Sequence, residues 1–570
     1  MKMVAAAFCV AAVSLCFGAP PVPKVPSEKK LRKMVAEALE RGRAYLKFVM
    51  SLERDKMFHK RYQTLKTRIS RLSTNRYRAE RGQKLQEPVV TPLKKRKKHP
   101  NRRVEELMKE LDKIERRAYE LERALATGKK VSVNDTAALS RKLSGIAAEV
   151  QSREAALVGL ALLRAGEPPD SADITTLISK SKSYIKTRTS HQQNVRLYYD
   201  YTAPLILMFW EELLARRGMQ SGLTYRSGLK QAAASLSPDD KKFLQSIVDA
   251  LVSGAAYNAT RQKANQKFWI WGATDNSCTQ FVMMGLRCAF NMGLKVPADL
   301  VEQAAEAVLS SQKEKGEKVR WFFVPFAELS YEELKRIEEK KGVKRVLEQS
   351  GTQRFKTRPD WGIKRRHRRR RKGVMFARGF PYSVKPPSQR RSSTISPRLS
   401  TSVGGVCSLA IAKALLSRQH ALKKALEERL NSAIRDGCGY TAKHFDELLN
   451  LQKKDDSYLP PRGGWYFYTW WALERACAMT LLEKLAGRDW WRIGASVIVR
   501  LQKKDGSWGY YSVTNEQPTV ATAFAMLFLA RGTLPVVGEP RGDVVATGSS
   551  MFKKKPKEKK KHSPTGQKSP

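Results

Sequence analysis

The chain has 570 residues, of which 42% are hydrophobic, and its 107 Lys and Arg against 54 Asp and Glu give a formal net charge of +53. A chain of this length exceeds one minimal domain, and its apolar content is high enough to bury a core, which excludes disorder throughout. The charge excludes a surface that does not interact with anions, because a protein this basic attracts them.

The N-terminus is typical of a secretory signal. A short basic start precedes an apolar run from Val4 to Phe17, which ends in the small residues Gly18 and Ala19. This run is shorter than the roughly 20 residues of a membrane-spanning helix. We therefore expect a signal peptide over residues 1–19 and an exported protein, periplasmic or associated with the cell envelope. An uncleaved membrane anchor is the alternative, and no other membrane span is expected.

Residues 28–50 predict an amphipathic helix, and residues 51–150 predict a basic, coiled-coil-like insert. Apolar residues recur by threes and fours from Phe58 to Leu72 and again from Val104 to Leu125. The link between these two seams contains prolines and a basic block. We therefore expect an antiparallel helical hairpin with a basic tip. The block consists of Lys94, Lys95, Arg96, Lys97 and Lys98.

The rest of the chain predicts an all-α protein built from repeated units. Segments 155–166, 280–293 and 522–532 are apolar nearly all round and end in glycine, which is typical of buried helices. The segments Leu451–Tyr458 and Leu501–Trp508 share six of eight residues at a spacing of 50. No convincing period of two predicts a strand. Repeats of this length suit helical hairpins.

Gln502-x-x-x-Gly506-x-Trp508 resembles the QW motif of the α/α-toroid superfamily, which includes squalene–hopene cyclases and protein prenyltransferase β-subunits. Residues 153–166, 271–293 and 463–537 look like exported bacterial proteins with prenyltransferase and squalene-oxidase repeats. The resemblance implies a toroid, a barrel of helical hairpins, formed by residues 28–50, 151–321 and 400–537. A basic, partly disordered insert over 322–380, with one exposed charged helix, and a disordered Lys-rich tail over 538–570 complete the predicted organisation.

In that family the QW motif braces the barrel and carries no chemistry. The glutamine amide can bond to backbone groups at helix ends, the tryptophan ring can cover the same loop, and the glycine allows a tight turn. We therefore predict a structural role for the motif and its second copy. The residues are Gln452, Gln502, Gly506 and Trp508.

The acidic patterns of the known toroid enzymes are missing. Neither Asp239-Asp240 nor Asp455-Asp456 continues as D-D-x-x-D, and no D-x-D-D stands anywhere. Asp436-Gly437-Cys438 imitates two zinc ligands of the prenyltransferases, but a catalytic zinc needs three protein ligands and no suitably placed histidine follows. The sequence therefore predicts no metal and no cofactor, identifies no catalytic residue, and leans away from an enzyme.

An aromatic and polar set remains as a candidate ligand pocket. Such residues could line a concave site for an apolar, isoprenoid-like ligand, whereas the structural alternative is packing between helices. That alternative also pairs Glu474 and Arg475 with neighbouring charges. The candidates are Trp271, Asp275, Asn276, Gln280, Trp465, Tyr466, Tyr468, Glu474, Trp490 and Trp491.

Five cysteines follow the signal segment, each in or beside an apolar helical run. Buried thiols are the expected state, because the spacings are wide and no C-x-x-C pair exists. One disulfide is the alternative. The residues are Cys278, Cys288, Cys407, Cys438 and Cys477.

The positive charge is concentrated in three blocks. Residues 94–103 hold seven Lys or Arg, residues 364–372 hold eight, and residues 553–561 hold seven. Basic runs bind phosphates without sequence selectivity. For an exported protein the candidate partners are anionic lipid headgroups, acidic envelope polymers or extracellular DNA, and nucleic-acid binding in general is a weaker option. The alternative is that the charge merely follows a basic proteome or an acidic milieu. In the second block we predict that anions contact Arg365, Arg366, Arg368, Arg369, Arg370 and Arg371.

Two functions follow from these features. The first is an exported, non-catalytic scaffold or binding protein that attaches to an anionic partner through its basic segments. The second is an isoprenoid-related enzyme or lipid carrier that uses the lumen of the toroid. An aromatic-lined lumen would favour the second, and a lumen filled by Met, Phe and Leu would favour the first.

Overall fold

The computed structural model describes residues 25–86, 102–145, 154–189, 196–261, 276–353, 375–382, 396–454, 457–461, 464–509 and 516–538. Within these ranges the chain is mostly helical, and its only strands are four segments of three residues each. The prediction of an all-α protein is therefore confirmed. The signal segment and the basic blocks lie outside the described residues, except that Arg102 and Arg103 of the first block begin a helix.

The N-terminal part has its own small hydrophobic core. It begins with a long helix that breaks at Asp55, whose carboxylate accepts a hydrogen bond from the Phe58 N–H at 2.9 Å and so caps the next helix. The three following helices pack on one another. The helices are α1 (Glu28–Arg54), α2 (Lys56–Glu80), α3 (Arg102–Ala126) and α4 (Val133–Gly145).

Helices α2 and α3 run in parallel, so the antiparallel hairpin predicted for this insert is wrong. Arg61 donates to Glu115 at 2.6 Å, and Arg68 donates to Glu122 at 2.7 Å. A step of seven residues along α2 therefore matches a step of seven in the same direction along α3. Residues 81–101 supply enough chain to return along α2 before α3 begins. Helix α4 then packs against both, which makes three helices in place of a hairpin.

Six helices form the middle of the main core and are buried over most of their circumference. Each packs on the next in chain order, and the last packs on the first. They are α5 (Ala155–Arg164), α7 (Arg196–Gln220), α10 (Asn276–Asn291), α15 (Leu399–Arg418), α17 (Tyr466–Thr480) and α19 (Pro518–Ala530).

Further helices, with exposed as well as buried positions, pack against these six. Helix α1 contacts α19, and the remaining helices each contact one or two of the six or one another. Their boundaries are α6 (Ala172–Thr189), α8 (Tyr225–Ala234), α9 (Pro238–Arg261), α11 (Ala298–Ser311), α16 (Lys424–His444) and α18 (Trp490–Arg500).

The insert after α11 is folded where the structure describes it. Its two strands pair antiparallel, with Glu317 opposite Ala377, and Phe322, Phe323 and Phe326 are buried. The helix expected to be exposed and charged is amphipathic, because Leu334 is buried beneath its charged face. The elements are β1 (Glu317–Val319), α12 (Pro325–Glu328), α13 (Tyr331–Glu339), α14 (Val343–Gln349) and β2 (Met375–Ala377).

A second pair of strands corrects the expectation that strands are absent. The first copy of the eight-residue repeat forms a β-hairpin of β3 (Gln452–Lys454) and β4 (Ser457–Leu459). Strands this short carry too few residues for a period of two to stand out in the sequence.

By length and composition, one helix within the described ranges, α15, is apolar enough to cross a membrane. Nearly all of its apolar stretch is buried inside the fold, as in the core helix of a soluble protein.

Candidate functional site

Four polar side chains meet among the six buried helices. Gln280 comes from α10, Cys407 from α15, and Tyr468 and Arg475 from α17. The Tyr468 hydroxyl donates to Gln280 Oε1 at 2.5 Å, and the Cys407 thiol lies beside both Gln280 and Arg475. We call these four residues the central cluster.

Arg475 is a buried cation without an ion pair among the described residues. Its side chain is 0% exposed, and none of its three guanidinium nitrogens has a hydrogen-bond acceptor there. Trp471 covers the guanidinium face, with the ring centroid 3.1 Å from Cζ, and Phe281 lies 5.5 Å away. Burial lowers the pKa of Arg475, yet arginine stays charged in proteins. A charge this deep needs a counter-charge.

Gln280 adds a second unpaired donor to the cluster. Its side chain is fully buried, and its Nε2 has no acceptor among the described residues. Helix α15 can approach the Gln280 side chain closely because residue 404 is a glycine, where a Cβ would stand 2.9 Å from Gln280 Oε1. Burial raises the pKa of the Cys407 thiol to about 11, so this thiol is neutral at physiological pH.

A paired polar network lies beside the central cluster. Glu212 accepts bonds from Arg164 at 2.6 Å and from the Tyr225 hydroxyl at 2.9 Å. Glu211 accepts bonds from the Cys288 thiol at 3.0 Å and from Asn291 at 2.7 Å. These carboxylates therefore have partners, unlike the guanidinium of the cluster.

The space left in the core is small. A cavity of about 20 Å³ lies beside the paired network, where Arg164, Glu211 and Cys288 line it, and borders Met284 and Trp471. This volume holds about one water molecule. Around it the core is packed by Leu160, Met208, Met284, Trp471 and Leu527.

Residues 531–538, which we call the C-terminal strap, are tied to the ends of several helices. Arg287 donates to the Leu534 carbonyl at 2.5 Å, and Arg226 donates to the carbonyl oxygens of Pro535, Val536 and Gly538. The strap also engages α17, because the Thr533 hydroxyl donates to Glu474 at 2.6 Å.

A second, larger cavity of about 300 Å³ is lined in part by this strap. It is mainly apolar, but Glu474 reaches it, and burial raises the pKa of that carboxyl. Two residues at its edge, Leu481 and Arg531, have left-handed φ values of 60° and 50°. Such backbone is strained for residues other than glycine and often marks a functional region. Arg531 is held by both oxygens of Glu483 at 2.8 Å.

The structure distributes the predicted pocket residues over several places. Gln280 and Tyr468 belong to the central cluster, whereas Glu474 and Trp490 line the 300 Å³ cavity. Asn276 bonds to Ser311 and to the Pro381 carbonyl. The other described candidates are Tyr466, which bonds to the Leu448 carbonyl, Trp465, which is 50% exposed, and Trp491, which is buried beside Arg531. Trp271 and Asp275 lie outside the described residues.

The sequence reasoning missed the unpaired state of Arg475. The expected ion pairs of Glu474 and Arg475 do not form among the described residues, because Glu474 bonds to Thr533 instead. The sequence signal for a buried arginine was its position inside a helix that is apolar on every side. Cys407 carried no signal beyond its apolar surroundings.

The QW-type residues connect α18 and α19 to α1. Gln502 Nε2 donates to the Ala38 carbonyl at 2.8 Å and to the Gly506 carbonyl at 2.9 Å. Gly506 has a φ of +88°, and Trp508 Nε1 donates to the Ile498 carbonyl at 2.8 Å. In the other copy, Gln452 lies exposed on β3.

The described residues hold no cluster of three or more metal-ligating side chains. Asp436, half of the zinc-like pair, accepts a bond from Arg378 at 2.6 Å and another from the Phe376 N–H at 3.1 Å. All five cysteines are buried thiols that form no disulfide, as predicted. Burial raises the pKa of Cys438, so its thiolate, the form that binds zinc, is disfavoured.

Comparison with known protein families, with curated proteins and with solved structures finds no match for this chain.

Proposed function

We propose that the main core is an α/α-toroid. The closed series of contacts among α5, α7, α10, α15, α17 and α19 supports this arrangement, as inner helices of a barrel would make such contacts. Helices α1, α6, α9, α11, α16 and α18 alternate with them along the chain and would form the outer layer. In this arrangement, Gln502 and Trp508 connect the last hairpin to the first outer helix.

We propose that the protein is an exported scaffold that attaches to an anionic partner through its basic segments. The observation that carries this proposal is the distribution of charge: three blocks contain 22 Lys or Arg, and all three lie between or beyond the helices of the core. The small central cavity supports the same function, since about 20 Å³ leaves no room for a lipid.

The described surface also contributes positive charge. Helix α2 carries eight Lys or Arg and one acidic residue. Arg61 and Arg68 are engaged with α3, whereas Lys56, Lys60 and Lys66 are exposed. This helix precedes the block at residues 94–98 in the sequence, so its exposed lysines would add to the anion-binding surface of that block.

Sedimentation with lipid vesicles tests the proposal. Replacing the six arginines Arg365, Arg366 and Arg368 to Arg371 by Gln should weaken binding to vesicles containing an anionic lipid at least about a hundredfold, because each basic residue contributes about 1 kcal/mol near such a surface. Binding should also become less sensitive to salt. Vesicles of neutral lipid should not bind either protein.

The matched control removes six charges from the described surface. These exposed residues are Lys315, Lys318, Arg320, Lys335, Arg336 and Lys340, each replaced by Gln. Equal losses in the two variants would mean that total charge matters and the block does not, which would contradict the proposal. Stronger binding to duplex DNA than to anionic vesicles would identify nucleic acid as the partner.

The 300 Å³ cavity favours a second candidate function, the carriage of an apolar ligand. Its volume lies at the lower end for small-molecule sites, and it combines apolar walls with one buried carboxyl group. Mass spectrometry of molecules that remain bound after a high-salt wash would test this. A stoichiometric isoprenoid or lipid would support a carrier, and its absence would favour the scaffold.

A further inference from the structure

The central cluster presents hydrogen-bond donors without acceptors. Arg475 Nε, Nη1 and Nη2 and Gln280 Nε2 are all buried, and none has a partner among the described residues. They come from α10 and α17, which both pack on α15. Helix packing alone would place apolar groups at these positions, because buried polar groups normally have partners.

The described surroundings of the cluster compensate the charge of Arg475 only in part, through the attraction of Glu474, and form no ion pair with it. Glu474, the adjacent residue, directs its carboxylate to Thr533. Cys407 and Tyr468 are neutral groups at physiological pH, and Glu212 is already paired with Arg164. Trp471 covers one face of the Arg475 guanidinium. The guanidinium N–H groups point outward in the plane of the group, where an acceptor could reach them.

We propose that Arg475 and Gln280 bind a small monovalent inorganic anion, of which chloride is the simplest example. An anion accepts bonds from N–H groups of both side chains and neutralises the guanidinium, which cannot release its proton. Both side chains are fully buried, which favours a small ion over a phosphate ester or a fatty acid. This site is independent of the basic blocks and of their partner.

Thermal unfolding of the full chain in increasing chloride tests the site. Gluconate replaces chloride to hold ionic strength constant, because a protein of charge +53 also responds to ions nonspecifically. The wild-type Tm should rise with chloride and then saturate, as expected for a ligand of the folded state. A wild-type Tm that does not respond to chloride would overturn the proposal, since the chain itself would then neutralise Arg475.

The decisive variant is Arg475→Met, which keeps the length of the side chain and removes its charge. Its Tm should lose the saturable response, whereas Arg217→Met, which removes an exposed arginine of α7, should retain it. An equal response in all three proteins would also overturn the proposal. If Arg475→Met does not fold, Gln280→Met keeps the guanidinium and should require roughly tenfold more chloride for the same rise in Tm.

A structural measurement complements the variants. Crystals of the wild-type chain soaked in bromide should give an anomalous peak within hydrogen-bond distance of Arg475. A peak elsewhere only, with none at the cluster, would contradict the assignment.

Discussion

Lys413 shows at the scale of one residue how the core holds the inserted segment. Its ammonium group is 0% exposed and donates to the carbonyl oxygens of Phe326 and Leu329 at 2.9 and 3.0 Å. It also donates to Asn431 Oδ1 at 2.8 Å and lies 3.4 Å from Glu427. A buried lysine is tolerated in this core because carbonyl groups of the insert accept the hydrogen bonds that water would otherwise accept from its ammonium group.

Lys413 should make stability depend on pH above neutrality. Burial lowers its pKa from 10.5 to about 8. Between these values the unfolded chain holds a proton that the folded chain has lost, so this residue makes stability increase as pH rises from 8 to 10.5, by roughly 3 kcal/mol. Below pH 8 the cost of burying the charge is fully present.

Urea unfolding between pH 7.5 and about 10.5, compared with Lys413→Met, measures this effect. The free energy of unfolding of the wild type should rise relative to that of the variant as pH increases. Lys424→Met, at an exposed position of the next helix, should follow the wild type. Parallel pH curves for the wild type and Lys413→Met would refute the expectation.

At the scale of elements, the sequence predicts helices better than their directions. The heptad seams of α2 and α3 specify which faces pack, but a repeat of apolar residues reads the same in a parallel and an antiparallel pair. The direction follows from charges: Arg61 and Arg68 lie seven residues apart, as do Glu115 and Glu122. The link between the two helices contains prolines and lysines, which suggested a hairpin. It is also long enough for the chain to run back along α2 before α3 begins.

The parallel pairing predicts which charges can be exchanged. Arg68→Glu places a second carboxylate beside Glu122 in a site where both side chains are only 7% exposed. We expect this change to destabilise the folded protein by about 3 kcal/mol, because an unpaired buried charge is costly. Adding Glu122→Arg should restore most of the loss. Calorimetry of both variants checks this, and a double variant no more stable than Arg68→Glu would argue against the parallel register.

The candidate site was harder to predict than the fold. Apolar helices that end in glycine are visible in the sequence, and the structure confirms an all-α protein. The pocket residues were chosen because aromatic and polar types cluster near residues 271–280 and 465–491, which is a property of sequence neighbours. The central cluster instead joins Gln280, Cys407 and Arg475 from three helices, and such a meeting depends on tertiary packing.

At the scale of the whole molecule, the C-terminal strap separates the folded core from the basic tail. Arg226, Arg287, Glu474 and Glu338 all bond to strap residues, and the last of these bonds is made by the Gly538 N–H. The Lys-rich block at residues 553–561 follows after 14 intervening residues. Stability and anion binding should therefore be separable by truncation.

Removing residues 539–570 should leave the Tm within about 2 °C of the wild-type value, because each strap contact remains, and should weaken binding to anionic vesicles. Removing residues 532–570 should lower the Tm much further. That cut leaves the buried groups of Arg287 and Glu474 without their strap partners, at about 1–3 kcal/mol for each group. Scanning calorimetry and vesicle sedimentation on the two truncated proteins separate these effects. Equal losses of Tm would show that the tail is part of the folded core, whereas unchanged vesicle binding would remove the tail from the anion-binding surface.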